Sequence, residues 1–150
     1  MAKYTNIEKL LQKVNKDLED VRVEFYKELA TELVKASYHA TDTGAYMASH
    51  NIGTDTRSPG YASKVGAFKQ QGVDKAMAAD DALNRLHGEA EAIPEGTEKV
   101  YIANRSPHSK FVEVGGAGWK RPGYYPFKIM RSNAKGALER AIAAIKGRSQ

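Results

Sequence analysis

The sequence predicts an α+β domain with a long N-terminal helix, a small antiparallel sheet, a second helix in the middle of the chain and a C-terminal helix. Three observations lead there. Apolar residues recur every three or four positions through residues 1–40, the same spacing returns in 73–93 and 127–146, and a β-branched, aromatic run lies between the last two. Helices and short strands in that order make a small sheet flanked by helices.

In residues 1–40 the stripe is Ile7, Leu11, Val14, Leu18, Val21, Phe25, Leu29 and Leu33, with Lys and Glu alternating around the polar face. Asn6 can cap its start, and Thr41-Asp42-Thr43-Gly44 brings turn chemistry at its end. A helix this long exceeds what a 150-residue monomer usually accommodates, so it is expected to pack on a neighbouring subunit or to fold back on its own sheet. Gly44–Ser49 reads as a helical turn or a strand entry, and Asn51-Ile52-Gly53-Thr54 alternates too briefly to fix its type.

Residues 55–72, punctuated by Gly and Pro, are predicted to form an exposed loop. In 73–93, Ala76, Met77, Ala79, Leu83, Leu86, Ala90 and Ile93 return to helical spacing among good helix formers. Pro94-Glu95-Gly96 then turns the chain into a strand at Lys99–Asn104. Phe111–Val114 reads as a further short strand or a helix end closed by Gly115-Gly116, so 99–116 is predicted as strand–loop–strand. After the Gly/Pro/aromatic loop Ala117–Pro126, the positions Ile129, Met130, Ala134, Leu138, Ala141, Ile142 and Ile145 predict the last helix within 127–146, with Gly136 a tolerated weak point.

A chain of 150 residues fits one domain, 1–150, with a single modest core. Its 41% hydrophobic and 27% charged residues are ordinary globular composition, which sets disorder aside. With no cysteine, disulfide staples and thiolate metal sites are excluded, and the chain suits a reducing cytoplasm. Neither a signal-like N-terminus nor an apolar run long enough to span a bilayer is present, so no membrane role is expected. The net charge of +5 is unevenly placed: residues 120–150 hold eight Lys/Arg against the single acid Glu139, whereas the rest is nearly balanced. That basic excess fits either an acidic partner or a solvated helix face.

Reactive constellations are missing from the pattern. His39, His50, His87 and His108 show no metal-ligand spacing, and Asp80-Asp81, as helix neighbours, point in different directions. The glycines of VEVGGAGW lack a nucleotide-binding frame, and Ser106 and Ser109 beside His108 lack an orienting acid. No catalytic residue, cofactor or metal is expected. The run Trp119-Lys120-Arg121-Pro122-Gly123-Tyr124-Tyr125 instead has the composition of an interface hot spot, or of aromatics that cover the sheet.

The order long helix, Thr43-Gly44 to Ser49 turn, alanine-rich helix, then Val100, Ile102, Asn104, Pro107, His108, Val112, Glu113 and Gly115, resembles the tail-completion (neck, head–tail joining) proteins of long-tailed bacteriophages. The Pro126-Phe127 step into a C-terminal helix fits that family too, while His108 and Gly116 stand where a tyrosine and a threonine are commoner.

The resemblance implies a non-enzymatic virion protein, made in the host cytoplasm, that forms a ring, typically a hexamer, between the head connector or stopper and the tail tube. Genomic DNA would pass through without sequence-specific binding. Asn104, Pro107, Glu113 and Gly115 would shape an edge met by a neighbouring subunit, with Trp119, Tyr124 and Tyr125 beside it. Glu113 would pair with a basic residue across that contact, or else Asn104 and Glu113 cap turns within one chain. Lys128, Arg131, Lys135 and Arg140 would face the DNA or an acidic protein. The alternatives are a tail-terminator protein capping the tube and, from another class, a small basic DNA-binding protein.

Overall fold

The computed structural model describes residues 2–40, 45–54, 74–104, 106, 109–116 and 122–148. Helix α1 runs Ala2–Ser37 and passes into a 3₁₀ turn at Tyr38–Ala40. A single helical turn, α2 (Ala45–Ala48), leads into strand β1 (His50–Gly53). Helix α3 (Lys75–Glu91) and strand β2 (Tyr101–Asn104) follow, and helices α4 (Ser109–Val114), α5 (Pro126–Ser132) and α6 (Ala134–Arg148) complete the order. The predicted α+β class is the observed one.

The second half of α1 is the spine of the fold because it is apolar on two flanks. Ala30 and Val34 face Met47, Ile52, Ala82, Leu86, Ala90 and Ile93, which joins α1 to α3 and β1. Leu29 and Leu33 face Met130 and Ala137, which joins α1 to α5 and α6. Ile102 on β2 packs against both clusters. The two clusters are therefore one core split by a helix, and the arc of α1 that they bury is wider than a single stripe.

The sheet has two strands, paired antiparallel in the register His50 with Asn104, Asn51 with Ala103, Ile52 with Ile102 and Gly53 with Tyr101. A pair this small needs help from elsewhere, and α3 supplies it. Glu89 accepts from the Ile52 amide (3.0 Å), and Arg85 donates to the His50 carbonyl (2.6 Å) while paired with Glu89 (3.0 Å). Side chains of one helix thus occupy an edge that would otherwise present bare peptide groups.

Three expectations need correction. Helix α1 begins at Ala2, so Asn6 lies inside it and does not cap its start. Of the two readings for Phe111–Val114 the helical one holds, so the segment 99–116 pairs a strand with a helix and is not strand–loop–strand. The chain there is closed by Gly115 at φ 72, whose amide reaches back to the Phe111 carbonyl (2.8 Å), a left-handed helix end that suits glycine. The stretch 127–146 is two helices that break at Asn133. There the Asn133 amide is shared between the carbonyls of Ile129 and Met130, and its side chain donates to Glu32 of α1 (2.9 Å). That side chain is drawn out of the helix line by a tertiary partner.

The helix predicted at 73–93 appears as α3, capped by Asp74, whose carboxylate accepts from the amides of Ala76 (2.9 Å) and Met77 (3.1 Å). Met77 itself is exposed and Ala82 takes a core place. Asp80 and Asp81 are solvated as expected. The turn at Thr41–Gly44 and the loop 55–72 lie outside the described residues. No helix is long and apolar enough to cross a membrane among the residues described.

Candidate functional site

The strand–helix edge expected to carry recognition is assembled from β2, α4 and α5. Asn104, Glu113 and Arg131 line one shallow cleft of about 360 Å³, together with Phe127 and Lys110. Behind the cleft the chain is tied closely. The amides of Tyr124 and Tyr125 donate to the carbonyls of Val112 (2.8 Å) and Glu113 (3.0 Å), so residues 124–125 run directly along α4. Gly123 makes that approach possible: a Cβ there would lie 2.7 Å from Val114 Cα and closer still to the Glu113 carbonyl oxygen.

Glu113 has a specific task in this arrangement. Helix α5 starts with Pro126 after Tyr125, a residue held at φ 53 that offers no side-chain cap. The Glu113 carboxylate takes the cap's place from α4, accepting from the amides of Phe127 and Lys128 (3.0 Å each). A carboxylate at a helix start satisfies orphan amides and sits at the positive end of the helix dipole. Of the two roles expected for Glu113, the geometry makes the intrachain cap. Glu113→Ala should lower stability by about 1–2 kcal/mol, measured as a shift in denaturant midpoint, because two amides lose their acceptor. An unchanged midpoint would mean that the cap does not bind the two helices.

Asn104 is likewise committed within the chain. Its amide nitrogen donates to the Tyr46 carbonyl (2.8 Å) and to His50 Nδ1 (3.1 Å), and its oxygen accepts from the Ser106 amide (2.9 Å). His50 and Ser37 are completely buried, and His50 Nε2 lies 2.9 Å from Ser37 Oγ. An amide nitrogen can only donate, so Nδ1 is the accepting nitrogen of a neutral ring and Nε2–H donates to Ser37. Ser37 in turn donates to the Leu33 carbonyl (2.7 Å). Tyr46 and Phe127 close the ring off edge-on, with centroids 5.0 and 5.7 Å away.

Burial, with a smaller contribution from the nearby Arg85 charge, pushes the His50 pKa down to about 3. The Tyr46 phenol is pushed up, chiefly by its own burial and then by the Glu113 charge. A serine beside a histidine and an asparagine looks like nucleophile machinery. Here the imidazole nitrogen facing the serine already carries a proton, and both side chains are sealed from solvent, so the trio has neither a base for Ser37 nor a route for substrate. It is a polar clamp joining α1, α2, β1 and β2. Sequence spacing could not reveal it, because Ser37, His50 and Asn104 meet only through the fold.

The basic residues divide into two groups. Lys128, Arg131 and Lys135 are exposed, with Lys128 Nζ 5.4 Å above the Tyr125 ring. Arg140 is instead occupied by α1, holding Glu28 and Glu32 at 2.8 Å each. Arg148 likewise holds Glu24 at 3.0 Å. The acids at 24, 28 and 32 thus form one row along α1 that neutralises part of the C-terminal excess. The expectation that Arg140 faces DNA or a partner is corrected by this pairing.

Gly115 is the left-handed helix end already described, Tyr124 is half-buried and Tyr125 is exposed, whereas Pro107 and Trp119 lie outside the described residues. Missed by sequence reasoning were Gly123, Ser37 and His50. Only Gly123 carried a local signal, a glycine between proline and paired tyrosines. Among the described residues no group of three His, Asp or Glu could hold a metal ion. No protein-family model, curated protein or solved structure matches this chain.

Proposed function

We propose that this chain is a structural subunit of a ring at the head–tail junction of a long-tailed bacteriophage, joining the connector or stopper to the tail tube. The family assignment rests on the resemblance of Val100, Ile102, Asn104, Val112, Glu113 and Gly115 in order, with Pro126-Phe127 opening a C-terminal helix. The observation that carries an assembly role is the apolar surface on that same edge: Val114, Tyr125 and Ile129 are 51%, 40% and 40% exposed. The Tyr125 amide is bonded to the Glu113 carbonyl, next to Val114, and Ile129 stands one helical turn further on, so the three exposed residues lie on neighbouring backbone along the α4–α5 edge. A rigid edge with exposed apolar groups and a polar rim of Lys110, Lys128 and Arg131 has the make-up of a subunit contact.

In this reading Asn104, Glu113 and Gly115 act by holding the edge in shape, while Val114, Tyr124, Tyr125 and Ile129 meet the neighbour, together with Pro107 and Trp119. The exposed cations Lys128, Arg131 and Lys135 supply a weak field toward an acidic head protein or passing DNA. The reading as a small DNA-binding protein is weakened by Arg140 and Arg148, whose charges are spent on α1. A tail-terminator role would use the same edge. The deciding experiment is electron microscopy of particles from a virus lacking this chain. Tailless heads are the expected result, and normal particles would overturn the assignment.

A further inference from the structure

The two edges of the sheet differ. On β1 the Ile52 amide and the His50 carbonyl point away from β2, since they meet Glu89 and Arg85 of α3. In an antiparallel pair, a residue whose peptide groups point outward sits opposite a partner whose groups point outward too. By the register His50 with Asn104 and Ile52 with Ile102, the amides and carbonyls of Ile102 and Asn104 therefore face the far side of β2. No third strand lies there, and no described residue takes these peptide groups as a partner.

The cleft between β2, α4 and α5 opens onto this edge. It is lined by both Ala103 and Asn104, consecutive residues whose side chains leave opposite faces of the strand, so it meets β2 from the side rather than over one face. Across it stand Lys110 of α4 and Arg131 of α5. Both are exposed, and neither holds an acid among the described residues. The acid in the lining, Glu113, is already turned to the Phe127 and Lys128 amides. An occupant of the cleft thus meets bare peptide groups on one wall and unpaired positive charge on the other.

We propose that the outer edge of β2 takes an extended segment of another protein as a third strand, with acidic side chains of that segment held by Lys110 and Arg131. Docking of this kind rests on reading the α4–α5 edge as an assembly contact, and it gives the partner a form and a charge. Strand addition supplies backbone bonds to any extended sequence, and side chains then select among sequences. Charge selects against this chain as its own occupant: a second β2 would lay down the uncharged run Val100–Asn104, and residues 55–73 carry Arg57, Lys64 and Lys69 against Asp55.

The test follows backbone amide exchange in the full chain, with a synthetic octapeptide of alternating threonine and glutamate as the probe. In the free chain the Tyr101 and Ala103 amides, which face β1, should exchange slowly and those of Ile102 and Asn104 quickly. Saturating peptide should slow Ile102 and Asn104 by about tenfold or more. Replacing each glutamate of the peptide by glutamine, or changing the chain at Lys110→Glu with Arg131→Glu, should raise the peptide concentration needed for half of that effect by about tenfold, and added salt should raise it too. The double change should leave the unfolding midpoint in place, since both side chains are exposed. Slow exchange at Ile102 and Asn104 without peptide, protection that grows with the concentration of the chain itself, indifference to the glutamine exchange, or no protection at millimolar peptide would each overturn the docking. Normal particles from a virus lacking the chain would remove the neck assignment and leave a measured docking in place, whereas tailless heads with no protection at β2 would do the reverse.

Discussion

Acidification from pH 6.5 to about pH 4 should cost the folded protein about 3 kcal/mol through His50 alone. The ring has an ordinary value of 6.5 and a folded value of about 3, so between these limits the unfolded chain binds a proton that the folded chain does not. Stability from this group is therefore complete above pH 6.5 and is lost as pH falls toward 3. The physical obstacle is specific: protonation would put a hydrogen on Nδ1, the nitrogen that faces the Asn104 amide, a donor that cannot accept it, in a buried site.

Denaturant titrations at a series of pH values check this, provided the slope with denaturant stays constant. His50→Gln should flatten the dependence above pH 5, where ordinary carboxylates remain ionised. A variant as acid-sensitive as the parent would mean that the loss lies elsewhere.

Gly123→Ala should destabilise the protein by about 2–4 kcal/mol, more than a usual overpacking change, because the new methyl meets backbone atoms that cannot rotate away. The Cβ would press on the Glu113 carbonyl and Val114 Cα, prising residues 124–125 off α4 and breaking the hydrogen bonds from their amides to the Val112 and Glu113 carbonyls. The Glu113 carboxylate would then be drawn away from the start of α5. Thermal unfolding together with amide exchange at Tyr124, Tyr125 and Phe127 reads the effect. A midpoint within about 0.5 kcal/mol of the parent would show that the edge can open without cost to the rest of the fold.

What could be read from the sequence follows the range of the forces involved. The helices at 1–40 and 73–93 and the strand at Lys99–Asn104 were legible because spacing and residue type act locally. Phe111–Val114 stayed open between a strand and a helix end, since four residues are too few to show a period. Its helical form is tied instead to the left-handed Gly115 and to Glu113 reaching α5. The break at Asn133 was hidden by apolar spacing that runs through it unbroken, and the pull on that asparagine comes from Glu32, far away in sequence. For the candidate site, Asn104 and Glu113 stood out as polar residues near turns, but their partners did not. His50 gave no sign of its environment, because a histidine in HNIG reads the same exposed or buried.

Because α1 runs without interruption from its exposed N-terminal half into both halves of the core, the direction of that arm is fixed by the body. A partner resting on Ile7, Leu11, Val14 and Leu18 would therefore be held at a set angle to the α4–α5 edge, since Met130 of α5 packs on the same helix.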